Sequence, residues 1–584
     1  MNKFKEAALS KKTGKAELIT LIIYTVGIVI IGLFHEVWFD EAQAWQIARC
    51  ASLKEMIFEI PHYEGHPPLW HLILAIFAKN GAPYKITLKV INTVFSSAAI
   101  AVLLYKSPFP KIIRCGLPFT YFLFYRYGVN TRPYCIMMLA FFLAASFYKE
   151  RNEHPWKYIL SLTLLCLSSA YGIIIAGGLC LVWTFEIVYE IVKKKTFKTI
   201  PTDKRVYALF FILIIAVFLI ILIVPASDTF YAGIFEEKSF FGEVFSFDFW
   251  NKFLDIPLDS WSTRLIKSSA PNIHIASIIL GLLSWGVLIS IASSNKKLLT
   301  FLFPYVITLV FCSCKYMAPH HIGISTLFHI FFFWIILDAN TNIKIPNYIH
   351  HLRNTIKSSI IKKSVATLMI VLSIMPFYYS IAASYLELKY YYGYGNLADF
   401  IKENHLEDSK IMITWHNEFE KSSENPNATA LSNALDINTS FSELPFEHEK
   451  VKMHLTYICG LGPTITIAFD HNIIMNFNVE CPDEMYVHYK YKEDTKAIMK
   501  KWREKGLPDF VLCPSLIDEV YTEEELNGVK YLPIYVETNV IINKDELTSA
   551  KSIVYMRDDL FDDYPQFHWI YDPKADLYEI KHDD

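Results

Sequence analysis

Two adjacent carboxylates, Asp40 and Glu41, lie in the segment Phe34-His35-Glu36-Val37-Trp38-Phe39-Asp40-Glu41-Ala42, directly beyond the first long apolar run of the chain. Charge beside hydrocarbon is costly, so acids at that boundary form either a solvated face or a site. A carboxylate partly desolvated at the headgroup level gains a pKa suited to taking a proton from an alcohol. The same stretch runs on through Arg49 to His62-Tyr63-Glu64-Gly65-His66-Pro67-Pro68-Leu69-Trp70. There His66 can orient the base or an acceptor, or merely stack at the interface. Further along comes Tyr125-Arg126-Tyr127-Gly128-Val129-Asn130-Thr131-Arg132-Pro133-Tyr134. The Arg132 guanidinium offers planar, bidentate donors that suit phosphate, to which Tyr134 can add a hydroxyl; the alternative is snorkelling to lipid headgroups. A third cluster, Lys315-Tyr316-Met317-Ala318-Pro319-His320-His321, puts another cation between two apolar runs. Dispersed cations of this kind can clamp one phosphate. Adjacent histidines point apart on a helix and no third ligand is evident, so a metal site is not expected. Trp38, Arg49 and His62 are candidates for acceptor or sugar contacts, and Trp38, Trp45, Trp70 and Trp261 read either as sugar platforms or as an interfacial belt.

The elements that must position these residues are apolar helices. Of 584 residues, 53% are hydrophobic and 15% aromatic, above the roughly half-apolar content of a soluble chain. The excess is clustered in runs such as Glu17 to Phe34, Val206 to Val224, His274 to Ala292 and Val365 to Ser384, near the roughly 20 residues that cross hydrocarbon. A net charge of -3 argues for neither nucleic acid nor an acidic partner. Taking the short basic loops as cytoplasmic gives spans near 17-34, 84-105, 112-129, 133-149, 157-170, 171-190, 206-225, 273-292, 298-315, 319-338 and 364-384, about eleven crossings. Leu69 to Ala78 is short for a crossing and reads as a re-entrant or interfacial helix. The expected fold is an α-helical polytopic membrane domain over 1-384, with outer loops 35-83 and 226-272, followed by an outer domain over 385-584. In that last part, helix-like Asn396 to Asn404 and Thr495 to Lys505 precede strand-like Lys410 to Thr414 and Asp509 to Cys513, an α/β alternation. Cys50, Cys459, Cys481 and Cys513 lie outside the spans and leave one disulfide open. Asn427 and Asn438 begin glycosylation sequons.

These motifs carry a resemblance. A Trp-x-Asp-Glu-Ala loop, a His-Pro-Pro-Leu helix start, an Arg-x-Tyr helix start and a later basic-Tyr-x-x-x-Pro turn, in this order over about residues 17 to 340, resemble the GT-C fold polyprenyl-phosphate-sugar glycosyltransferases. The nearest branch is the protein mannosyltransferase and aminoarabinose transferase superfamily. The resemblance implies transfer of a sugar from a polyprenyl phosphate to an acceptor hydroxyl on the extracytoplasmic face of the cell membrane, with inversion. Asp40 would be the general base, with Glu41 or His66 positioning the acceptor, and Arg132, Tyr134, Lys315 and Tyr316 would hold the donor phosphate. Lys315 stands where the family often has Arg, which keeps charge but loses bidentate geometry. With one phosphate leaving, no cofactor or divalent metal is expected. The implied partners are membrane lipids, the lipid-linked sugar and a glycan, lipid or protein acceptor. The alternative is a polytopic transporter or flippase of a lipid-linked or small polar substrate, although no inverted repeat is evident and the acids gather outside the spans.

Overall fold

The computed structural model describes residues 13-229, 244-261, 271-314, 319-340, 359-389, 395-413, 461-489, 495-512, 520-543 and 546-570, with Gly242, Ile343, Lys344, Pro346 and Ile517. The chain is mostly helical. The helices that frame the site are α1 (Lys15–Phe34), α2 (Phe39–Cys50), α3 (Tyr84–Lys106), α4 (Tyr134–Tyr148), α5 (Pro155–Ser168), α6 (Ala170–Lys194), α7 (Lys204–Ile223), α8 (Ile322–Ala339) and α9 (Ser359–Lys389). Among the described residues, six helices are long and apolar enough to cross a membrane by length and composition: α1, α3, α6, α7, α8 and the Met369–Lys389 part of α9. Shorter apolar helices, α4, Ile278–Ser294 and Leu298–Cys314 among them, fill the bundle between these six. Burial sorts them: 78% of the apolar window of α8 is buried against 22% for α7. The exposed face of α7, with Leu213, Ile214, Val217 and Ile221, is a surface that only lipid would wet favourably.

Helix boundaries follow local chemistry. Asp203 accepts the Arg205 N–H at 2.9 Å and starts α7, and the Ser169 hydroxyl accepts the Gly172 N–H at 3.1 Å between α5 and α6. The crossing expected over 112-129 is not continuous. It breaks into a helix Lys111–Gly116, a 3-10 turn Leu117–Phe119 containing Pro118, and a π-helical turn Phe122–Arg126, because proline removes a backbone donor. Gly128 follows this turn. A Cβ there would lie 2.2 Å from the Phe124 carbonyl oxygen and 2.8 Å from the Tyr24 hydroxyl, so only glycine lets the chain fold back this closely. Arg114, within the span expected over 112-129, is fully buried and donates Nε at 2.9 Å and Nη2 at 2.5 Å to Glu17 of α1. The helix Leu69–Ala78 keeps the expected ten residues and packs Trp70, Leu74 and Ala75 with Trp45 and Ile47 of α2.

Beyond α9 the described residues form a four-stranded sheet of order β1-β2-β4-β3, with strands at Ile411–Met412, Phe510–Leu512, Tyr531–Asn543 and Glu546–Arg557 in chain order. β1 and β2 pair in parallel, with the helix Thr495–Glu504 in the crossover connection between them. The long antiparallel β3–β4 hairpin is not anticipated by the sequence reading. Leu397, Ile401, Ile411, Phe510, Val554 and Met556 form the core. This unit docks on α2. Gln43 receives the Val487 N–H and donates to the Val487 carbonyl, both at 2.8 Å, while Gln46 donates to Thr466 at 3.1 Å. Ile467 and Tyr486 complete the apolar cluster of α2.

Candidate functional site

Trp38 occupies the N-cap of α2, so Asp40 and Glu41 fall in its first turn, where the helix dipole favours acids. Their surroundings separate them. Glu41 is 1% exposed, and its Oε2 accepts the Trp38 N–H at 3.0 Å and faces His35 Nε2 at 2.9 Å. Its Oε1 accepts the Thr131 N–H. Burial pushes the Glu41 carboxyl up, but the His35 charge and these hydrogen bonds outweigh it and hold the group below its usual range. With both oxygens engaged, Glu41 is a capping and anchoring group. Asp40 is the reachable one: its carboxylate is 29% exposed and its Oδ2 lies 2.6 Å from Arg132 Nη1.

Arg132 follows the broken segment that turns back at Gly128, and the same segment brings in Arg126, whose guanidinium carbon sits 5.3 Å over the Trp38 ring. From the far side, the turn before α8 supplies His320 and His321. The His320 ring meets Trp38 edge-on at 6.0 Å and Tyr134 at 5.6 Å, and the Tyr127 hydroxyl donates to the His320 carbonyl at 2.8 Å. His321 stacks near Tyr171 at 4.7 Å. His66, Arg126 and Arg132 are electrostatic neighbours of both histidines. His66 is held neutral, its pKa pushed down to about 4 by burial.

Among the described residues, five buried polar atoms of this room have no hydrogen-bond partner: Trp38 Nε1, His66 Nδ1, Asn130 Oδ1, Thr131 Oγ1 and Arg132 Nε. Buried polar groups are ordinarily satisfied, so a cluster of orphans around an ion pair marks where a polar guest belongs. Two sequence candidates lie elsewhere. Arg49 donates to the Phe469 carbonyl at 2.9 Å and to Asp470 at 3.2 Å, tying α2 to the C-terminal unit. His62 Nδ1 lies 2.6 Å from the Val224 carbonyl, beyond the end of α7. Lys315 and Tyr316 lie outside the described residues, as do Cys459, Cys513, Asn427 and Asn438. Cys50 is a free thiol. Among the described residues no group of three His, Cys, Asp or Glu side chains is placed to hold a metal ion.

Sequence reasoning passes over His35, Arg126 and Glu387, although Arg126 stands inside a quoted motif and Glu387 is an acid near the end of an apolar run. No protein-family model, curated protein or solved structure matches the chain.

A separate cleft of about 270 Å³ opens between the Asp40 loop and the C-terminal unit, lined by Glu55, Glu59, Glu64, Glu480, Glu484 and His488 among others. Burial raises the Glu64 carboxyl to about 7 against the opposing hydrogen bond from Gln43.

Proposed function

We propose that the chain is a membrane glycosyltransferase that moves a sugar from a polyprenyl-phosphate carrier to an acceptor hydroxyl, with inversion. The observation that carries this reading is the Asp40–Arg132 pair at 2.6 Å within a ring of orphaned polar atoms. Before donor arrives, Arg132 neutralises Asp40. An incoming phosphate offers the guanidinium a better, bidentate partner and releases the Asp40 carboxylate as base. Asp40 then takes the acceptor hydroxyl proton while that oxygen bonds to the anomeric carbon. The bond from the anomeric carbon to the phosphate oxygen breaks, and its electron pair leaves with the polyprenyl phosphate. Arg132, with Arg126 beside it, stabilises the charge that develops on the leaving oxygen. Trp38, His66, Tyr134 and His320 form the wall against which sugar and acceptor are oriented.

In this reading the Asp40 loop and the C-terminal α/β unit face the outer side, with about eleven crossings from a lysine-rich amino terminus. The Gln43–Val487 and Gln46–Thr466 contacts support a common side for the two. The transporter alternative draws less support. Two ionisable groups within the apolar helices, Glu17 and Glu387, are tied to Arg114 and His35 rather than lining an open path.

The test is transfer by the purified chain in lipid nanodiscs, using a prenyl-phosphate sugar and an acceptor fraction from its native membranes. The wild type should release prenyl phosphate and Asp40→Asn should not; equal release by both proteins would refute the assignment. Chelator should leave the rate unchanged, and a loss restored by a divalent ion would overturn the metal-free route.

A further inference from the structure

The loop that carries Asp40 is fastened to α9 by a buried ionic chain that the transfer chemistry does not use. His35 follows α1, and its two ring nitrogens face two carboxylates: Nε2 lies 2.9 Å from Glu41 Oε2, and Nδ1 lies 2.8 Å from Glu387 Oε1. All three side chains are at most 2% exposed. A neutral imidazole has one N–H and can satisfy one carboxylate; two such contacts call for two N–H donors, which is the imidazolium. The remaining neighbours fit that charge state. Lys89 of α3 donates to the His35 carbonyl at 2.5 Å, and the Tyr125 hydroxyl donates to the second oxygen of Glu387. Among the described residues, two carboxylates and two cations thus balance in one cluster. Glu36 and Lys85, paired at 3.2 Å, flank Lys89 on its solvent side.

The geometry leads onward to the site. Glu41 takes the Thr131 N–H with its other oxygen, and the adjacent residue on each segment, Asp40 and Arg132, forms the half-buried ion pair. A shift of Glu387 therefore moves His35, Glu41 and Thr131 before it reaches Asp40 and Arg132. Glu387 stands two residues from the end of α9, which packs against β3 and leads into the C-terminal unit.

We propose that His35, as an imidazolium bridging Glu41 and Glu387, is a positioning residue that makes the Asp40–Arg132 geometry depend on the end of α9 and so on the C-terminal unit. That Asp40 acts as a base rests on the transfer reading; the coupling does not.

Solid-state NMR of the full chain in nanodiscs, with ¹⁵N-labelled histidine and arginine, reads both ends without substrate. The signals are assigned through His35→Gln and Arg132→Lys. Near neutral pH both ring nitrogens of His35 should be protonated, and Glu387→Gln should cost the ring one N–H. In the same variant the Arg132 guanidinium signal should shift toward its position in Asp40→Asn. A wild-type His35 with a single N–H, or an Arg132 signal unmoved by Glu387→Gln, would overturn the proposal. Should Glu387→Gln fail to insert, Tyr125→Phe keeps the carboxylate and removes one donor to it. It should shift the Arg132 signal in the same direction by less, and no shift would refute the coupling. Absence of transfer by the wild type would sink the enzymatic reading and leave these signals to judge the latch.

Discussion

Asp40 and Glu41 share a helical turn and differ in every physical respect that matters to a substitution. Asp40→Asn keeps volume and removes the proton acceptor, so transfer should fall by a factor on the order of 10²–10⁴ at nearly unchanged melting temperature. Glu41→Gln should do the reverse in kind. It leaves the His35 charge half paired inside the protein, and breaking a buried pair costs on the order of 3–5 kcal/mol, which thermal unfolding would register. His35 also gives stability a pH dependence. Burial and Lys89 push its pKa down, but Glu41 and Glu387 outweigh them and raise it from 6.5 to about 9. A raised folded pKa contributes stability that is complete below about 6.5 and lost as pH rises through about 9. Melting measured across that window should decline in the wild type and flatten in His35→Gln; parallel curves would show that His35 is not the titrating group. Asp40 and Arg132 are each legible in sequence as site candidates, because both stand at helix starts beside apolar runs, but their pairing is not. The anchoring role of Glu41 is not legible either, since it depends on the Thr131 N–H, 90 residues along the chain from it.

Helix α2 is the element on which site and C-terminal unit meet. Its first turn holds Asp40, and one turn later Gln43, 2% exposed, bridges Val487 and Glu64. Gln43→Ala leaves the Val487 backbone groups unmatched in a buried interface, at about 1–3 kcal/mol. Limited proteolysis should then release the C-terminal unit faster than from wild type, and an unchanged cleavage rate would show that the apolar contacts of Ile467 and Tyr486 hold it alone. Glu64 adds a second, lower pH window. Its carboxyl is raised from 4.5 to about 7, so its contribution is full below about 4.5 and lost as pH rises through about 7. Docking should loosen over that range, and Glu64→Gln should remove the effect. Most long helices are readable from apolar runs because burial in lipid or protein demands the same composition. The 112-129 segment misleads because its composition is apolar while Pro118 and the tight approach at Gly128 forbid a straight helix. The β3–β4 hairpin escapes because its strands lack a clean apolar alternation.

For the molecule as a whole, the docking of the C-terminal unit on α2 ties its sidedness to that of Asp40. Glu524 is an exposed residue of that unit, so an impermeant thiol reagent should label Glu524→Cys in intact spheroplasts above the wild-type background. Labelling only after permeabilisation would turn the unit, and Asp40 with it, toward the cytoplasm. A site on the outer face has no access to nucleotide sugars, which is why a lipid-linked donor belongs to this reading. The most direct measurement compares lipid-linked sugars and surface glycans in cells lacking the chain, complemented with wild type or with Asp40→Asn. The account predicts that wild type restores a missing sugar on an acceptor and that Asp40→Asn, inserted at equal level, leaves the sugar on its prenyl-phosphate carrier. Restoration by Asp40→Asn equal to that by wild type would contradict it.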